Sequence, residues 1–145
     1  MMRLRAPTLR ELTVHASATY PEECCGVLLG RNSGDNGKPR DIVRIVALGN
    51  LLSSDREHRY HIPADSVLSA EREAEAYGLI VIGFYHSHPD GSSAPSAFDR
   101  EHAWPWYSYL IVAAREDDTG PVRAWRLADD RSRFDEEELT IVEEE

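Results

Sequence analysis

Apolar residues recur at Leu9, Leu12, Ala16 and Tyr20, the three-to-four spacing of one helix face, and the run stops before Pro21. Thr8 followed by Glu11 is a capping-box pattern, so the helix is predicted to open there. The pattern then changes to a short unbroken apolar stretch, "CCGVLLG" (24–30), which suits a buried strand. "DIVRIVAL" (41–48) has the β-branched composition of a second strand, and "EHRYHI" (57–62) alternates like a third. Between the first two, "RNSGDNGKP" (31–39) is rich in turn formers and predicts a hairpin loop. Pro63 stands where a helix would start. The following "ADSVLSAEREAEAYG" has strong helix formers and Gly78 just past its end. "LIVIGFYHSH" (79–88) is apolar nearly throughout, as a central strand covered on both faces would be. "YSYLIVAA" (107–114) and "PVRAWRLAD" (121–129) predict further strands, with "REDDTG" as the turn between them. No repeat or linker interrupts the pattern. It predicts one α/β domain over residues 1–145, a mixed β-sheet flanked by helices.

Composition narrows the partners. The 16 basic and 26 acidic residues of this 145-residue chain give a formal net charge of -10, which disfavours nucleic acid and anionic membrane surfaces. Part of the excess is the terminal run "DEEELTIVEEE" (135–145), which reads as a solvated acidic tail. The two cysteines, Cys24 and Cys25, are adjacent and poorly placed to pair. A disulfide scaffold is excluded and a reducing cytoplasm is the expectation. "MMRLRAPTLRELTV" lacks an uninterrupted apolar core, and nowhere do eighteen apolar residues run together, so a soluble, unexported protein is expected.

The chemistry concentrates in "GFYHSHPDGSSAPSAFD" (83–99). On a strand, residues two apart share a side, so His86 and His88 face together with α-carbons about 6.5–7 Å apart. Two imidazoles at that spacing can converge on one ion, and a catalytic zinc takes three protein ligands with a fourth position for water. The third ligand is open among Asp99, eleven residues beyond His88; Asp90, which turn chemistry also explains; and His102, one helical turn after Asp99. Ser96 and Asp99 also form a Ser-x-x-Asp helix cap, a role that competes for the same carboxylate. His15, His58 and His61 read as surface or packing residues, and Cys24 and Cys25 as packing. Trp104, Trp106, Tyr107 and Tyr109 read as core or rim, with Trp106 placed to line a substrate groove.

"HSHPDGSSAPSAFD" resembles the signature of the JAMM (MPN-plus) metalloprotease family: His-x-His-Pro, six residues, Ser, two residues, Asp. "YPEECCGVLLG" resembles that family's upstream glutamate element, and "WPWYSYLIV" (104–112) follows in the expected order. The resemblance implies a cytidine-deaminase-like α/β/α sandwich. It also implies that His86, His88 and Asp99 bind Zn2+ with a water in the fourth position, that Glu23 is the general base with Glu22 solvated, and that Ser96 donates a hydrogen bond to the water or the oxyanion.

The family hydrolyses peptide and isopeptide bonds, often after the Gly-Gly tail of a ubiquitin-like protein. This compact chain resembles its short stand-alone bacterial members, including those that trim a residue such as cysteine from a ubiquitin-like sulfur-carrier protein. The expected substrate is therefore the extended tail of such a carrier, pairing with a strand edge beside the metal. A non-catalytic MPN scaffold is the alternative from another class, opposed by the filled ligand positions. A small-molecule zinc hydrolase or deaminase is opposed by the absence of a His-x-Glu and Pro-Cys-x-x-Cys signature.

Overall fold

The structure, a computed structural model, describes residues 1–32, 40–49, 62 and 64–143. Strand β1 (Met2–Arg5) runs into helix α1 (Ala6–Thr19), followed by β2 (Cys25–Asn32) and β3 (Arg40–Leu48). Helix α2 (Ala64–Ala76), β4 (Ile80–Pro89) and the short α3 (Ala97–His102) lead to β5 (Ser108–Arg115), β6 (Asp118–Leu127), β7 (Phe134–Glu137) and β8 (Leu139–Val142). The strands form one mixed sheet in the order β7-β6-β5-β4-β2-β3-β1-β8. β4 is central, antiparallel to β2 and parallel to β5, as its continuous apolar run predicts. Of the predicted turn loop (31–39), Arg31 and Asn32 belong instead to the end of β2, while residues 33–39 and all but Ile62 of the predicted third strand (57–62) lie outside the described residues.

Two expectations change. Helix α1 starts at Ala6 rather than at a Thr8 cap, because Pro7 can occupy a first-turn position where no amide donor is needed. Thr8 is buried one turn in, and its hydroxyl donates to the Val43 carbonyl at 3.5 Å. The acidic terminal run is not merely a tail either. Asp135, Glu136 and Glu138 keep their side chains in water, yet the backbone from Phe134 supplies both outer strands. β7 pairs with β6 and β8 pairs with β1, and only Glu138 separates them. The sheet therefore bends until its margins meet on one segment, where the Met2 amide donates to the Glu138 carbonyl at 2.8 Å. That segment covers edge amides that would otherwise be open to pairing.

Each face of the bent sheet carries its own core. On one, Leu12 and Ala16 of α1 pack with Met2, Leu4, Leu28, Ile82, Tyr85 and Leu110. On the other, Ala70 and Ala74 of α2 pack with Val27, Leu29, Val81, Phe84 and Tyr109. The end of α2 is closed by Gly78 at φ 70°, with the Leu79 amide on the Ala74 carbonyl and the Gly78 amide on the Glu75 carbonyl, a Schellman pair. Leu79 is thereby turned into the second core just before β4 begins.

A register shift in β4 decides which face the histidines take. Between the pairs Leu28↔Gly83 and Leu29↔Val81, β4 contains one extra residue, a β-bulge. Val81 and Phe84, three apart, consequently face the same core, as do Ile82 and Tyr85 on the opposite side. Past the bulge, Tyr85 and Ser87 face α1 while Phe84, His86 and His88 share the α2 and α3 side.

Candidate metal centre

His86, near the C-terminal end of β4, is 1% exposed, and Asp99, in the first turn of α3, is 6% exposed. Asp99 reaches the histidines because the intervening loop is tied down at nearly every step. The Asp90 amide donates to Ala114 at 2.6 Å, the Gly91 amide to His88 at 3.2 Å, and the Trp125 indole to the Ser93 carbonyl at 2.9 Å. Ser96 then caps α3: its hydroxyl oxygen accepts the Asp99 amide at 3.1 Å, and the Asp99 carboxylate accepts the Ser96 amide at 2.8 Å.

The cap and the site do not compete, contrary to the sequence expectation. Asp99 Oδ2 accepts the Ser96 amide and also lies 3.0 Å from His88 Nε2, while Oδ1 lies 3.1 Å from His86 Nε2. A carboxylate has about four lone-pair positions, enough for both duties. The Nε2 atoms of His86 and His88 are 3.2 Å apart. Three ligands on a tetrahedral zinc at about 2.0–2.1 Å would be spaced by about 3.3 Å, so this trio fits one face of such an ion. Among the described residues these three form the group able to hold a metal.

The remaining edges of the site support that reading. His88 Nδ1 lies 2.8 Å from the Ser92 carbonyl, an acceptor able to hold the ring proton and free Nε2 for a metal ion. Burial pushes the Asp99 carboxyl up, but the neighbouring His86 charge, hydrogen bonds from both imidazoles and the Ser96 amide hold it well below the usual carboxylate range. It is a carboxylate at any working pH. Burial lowers the His88 pKa, but hydrogen bonding and charge from Asp99, helped by Ser92 and Glu23, leave it raised.

Glu23 is 4% exposed and stands just before β2. The register Cys25↔His86 continues through Cys24 and Ser87, where the Ser87 amide donates to the Cys24 carbonyl at 3.2 Å and the Cys24 amide to the Ser87 hydroxyl at 2.9 Å. Alternation carried one residue further turns the Glu23 side chain to the face of His88, whose pKa its charge helps to raise. Glu22 is less deeply buried, in the intermediate class. In "PEECCG", Gly26 pairs with Tyr85, and a side chain at that glycine would collide with the Tyr85 ring.

The rival residues are employed elsewhere. Asp90, at φ 58°, accepts the Tyr20 hydroxyl at 2.8 and 2.9 Å. His102 stacks on Phe98 with ring centroids 4.1 Å apart, its Nδ1 2.9 Å from the Phe98 carbonyl. Burial pushes the Cys24 thiol up to about 11 and the Cys25 thiol to about 12, so neither is a thiolate nucleophile near neutrality. Of the aromatics, Tyr109 is core, while Trp104 and Trp106 are exposed and border an apolar groove of about 540 Å³ with Phe84 and Tyr107. Phe84 is two residues before His86, so this groove lies along the histidine side of β4. β4 itself is paired on both sides, so it offers no free edge to an extended tail. Residues that sequence reasoning missed are Tyr20, Trp125 and Arg131; the last donates to the Ala103, Glu101 and Arg100 carbonyls at the end of α3. Their partners are tens of residues away, and no local pattern marks them.

A His-x-His pair on the central strand of one mixed sheet, met by the carboxylate of a short helix, makes this an α/β domain with a group able to hold a metal, and the comparisons place its family. The model of prokaryotic homologs of the JAB domain matches residues 5–128. The chain belongs to that family. It is 36% identical over 99 residues to a desampylase of Haloferax volcanii, covering 68% of this chain and 67% of the relative. It is 27% identical over 142 residues to the CysO-cysteine peptidase of Mycobacterium tuberculosis, covering 97% and 91%. A solution structure from Desulfitobacterium hafniense superposes with a TM-score of 0.83 at 30% identity, covering 99% of this chain and 94% of the other. No helix among the described residues is long and apolar enough to cross a membrane.

Proposed function

We propose that this chain is a zinc-dependent metallopeptidase that hydrolyses the peptide or isopeptide bond at the C-terminal tail of a ubiquitin-like or sulfur-carrier protein. The observation that carries it is the convergence of His86 Nε2, His88 Nε2 and the Asp99 carboxylate within 3.2 Å of one another. Zinc held there supplies a more acidic water and a Lewis acid for the scissile carbonyl. Glu23, turned to the face of His88, takes the proton of the attacking water and passes it to the leaving amine. Ser96 uses its oxygen to cap α3, which leaves its O–H to donate to the developing oxyanion. The relative named a CysO-cysteine peptidase matches along nearly the whole chain and supports a carrier-protein tail as substrate. The exposed Trp104 and Trp106 beside Phe84 offer an apolar rim for such a protein. Two free, buried cysteines suit a reducing compartment such as the cytoplasm.

The test is zinc content together with cleavage of a carrier protein ending in Gly-Gly-Cys, for wild type, His88→Ala and Glu23→Gln. His88→Ala is expected to lose metal and activity together. Glu23→Gln is expected to keep the metal and lose at least about a hundredfold in kcat. A fully active Glu23→Gln would overturn the base assignment. Zinc-loaded wild type that cleaves no ubiquitin-like conjugate would favour a small-molecule substrate or a scaffold.

A further inference from the structure

Glu23 lies in the irregular connection between α1 and β2, where no ladder fixes it. On its C-terminal side it is pinned to β4 by the paired bonds between Cys24 and Ser87. On its N-terminal side the same strand reaches back through a side-chain bond. The Tyr20 hydroxyl donates to both oxygens of Asp90, at 2.8 and 2.9 Å, across 70 residues of sequence. Asp90 is a rigid acceptor: its amide is held by the Ala114 carbonyl at 2.6 Å, and its left-handed backbone at φ 58° fixes the direction of its side chain. Asp90 also follows the strand that carries both histidines by a single residue. Tyr20 is anchored in turn, its amide on the Ala16 carbonyl at 3.2 Å and its ring against the α1 core. Three residues, Pro21 to Glu23, separate these two anchors, which together limit where Glu23 stands relative to His88.

We propose that Tyr20 and Asp90 are positioning residues, a clasp that holds Glu23 in register with the His86–His88 strand. This rests on Glu23 acting as the base, and the two ideas fail separately. The bond is solvent-exposed, so its loss leaves the fold standing. Three variants separate its parts. Tyr20→Phe deletes the donor. Asp90→Gly deletes the acceptor while permitting the positive φ. Asp90→Asn keeps an uncharged acceptor and also tolerates that φ.

The experiment measures kcat and KM on the Gly-Gly-Cys carrier, zinc affinity by chelator competition, and amide hydrogen exchange across residues 20–26. Tyr20→Phe and Asp90→Gly are expected to lower kcat about tenfold each, with KM and zinc affinity within about twofold of wild type. The double variant is expected to be no worse than either single, since the pair acts as one unit. Asp90→Asn should fall between wild type and Asp90→Gly. Exchange at residues 22–24 should accelerate while the rest of the chain stays protected. Wild-type kcat in Tyr20→Phe alongside an inactive Glu23→Gln would overturn the clasp and leave the base intact. Unchanged exchange at residues 22–24 would overturn it whatever the activity, and so would a parallel fall in zinc affinity, which would locate the defect at the ligands.

Discussion

At the start of β4 the Arg40 guanidinium is buried against Ile82, Ser108 and Trp106; at its end the imidazoles of His86 and His88 are buried against Asp99. In the first cluster the Arg40 guanidinium finds acceptors within the protein. Arg40 donates to the Ser108 hydroxyl at 3.0 Å and to the Ile82 and Trp106 carbonyls at 3.3 and 3.0 Å, and it lies 4.7 Å over the Trp106 ring. The Ser108 hydroxyl donates to the Glu137 carboxylate at 2.7 Å, and Glu137 also draws the Met1 amine and Arg126. Donors meet acceptors, opposite charges are within reach, and the cluster joins β3, β4, β5 and β7 where the sheet closes. The second cluster gathers two imidazole Nε2 atoms and a carboxylate around one point, three atoms that can all turn lone pairs to one cation. A buried arrangement of that kind is costly without a cation and well satisfied with one. Both ends of the strand are polar and buried; only the end with convergent acceptors is built to hold something.

The most damaging way to break this contrast is Asp99→Asn. The amide oxygen can still accept the Ser96 amide, so α3 keeps its cap, while the anionic ligand is gone. Zinc affinity should fall by at least about a thousandfold and activity with it, while the melting temperature of the metal-free protein moves by only a few degrees, about what one altered hydrogen bond would cause. Chelator competition and thermal melts check this. A metal-free protein that unfolds outright would mean that Asp99 is first a structural residue.

At the opposite end the expected effect is on stability alone. Arg40→Met fills much of the same volume but takes a donor from the Ser108 hydroxyl oxygen and from the Ile82 and Trp106 carbonyls. It should cost about 3 kcal/mol in urea denaturation. Zinc stoichiometry and kcat of the folded protein should stay at wild-type values. A variant that lost metal as well would show that the two clusters are coupled along β4.

These two ends were unequally legible in the sequence. His86, His88 and Asp99 stand in one short stretch whose spacing carries meaning, and a period of two along a strand suffices to bring the histidines together. Even there, the face they occupy depends on the bulge near Gly83, which alternation alone does not foretell. The choice of Asp99 over Asp90 and His102 needed the family resemblance. The structure then shows why the cap does not forbid it, since one carboxylate serves both. Arg40 was invisible because its partners come from strands 42 and 68 residues away. The terminal acidic run misled for a related reason: exposed side chains say nothing about a backbone that borrows its partners from β1 and β6. The Thr8–Glu11 pattern failed because Pro7 and the preceding strand already set the helix start, freeing Thr8 for burial.

The smallest expected effect concerns a histidine that sits behind the site and is not part of it. His15 of α1 places Nδ1 2.8 Å from the Tyr85 hydroxyl, with the rings edge-on at 5.8 Å, on the opposite face of β4 from His86. Its partner is neutral, so nothing offsets desolvation, and burial lowers its pKa. His88, facing a carboxylate, moves the other way. For a histidine with a depressed folded-state pKa, the unfolded chain binds the proton more readily. Its contribution to stability is complete above the unfolded value of about 6.5 and is lost as pH falls below it toward the folded value. His15→Gln should therefore flatten the decline in stability between pH 7 and pH 5, measured by urea denaturation of the zinc-loaded protein, without changing kcat at pH 8. An identical pH slope in wild type and variant would show that burial of His15 by α1 and Tyr85 carries no proton linkage, and the contrast between a packed and a ligating histidine would then rest on geometry alone.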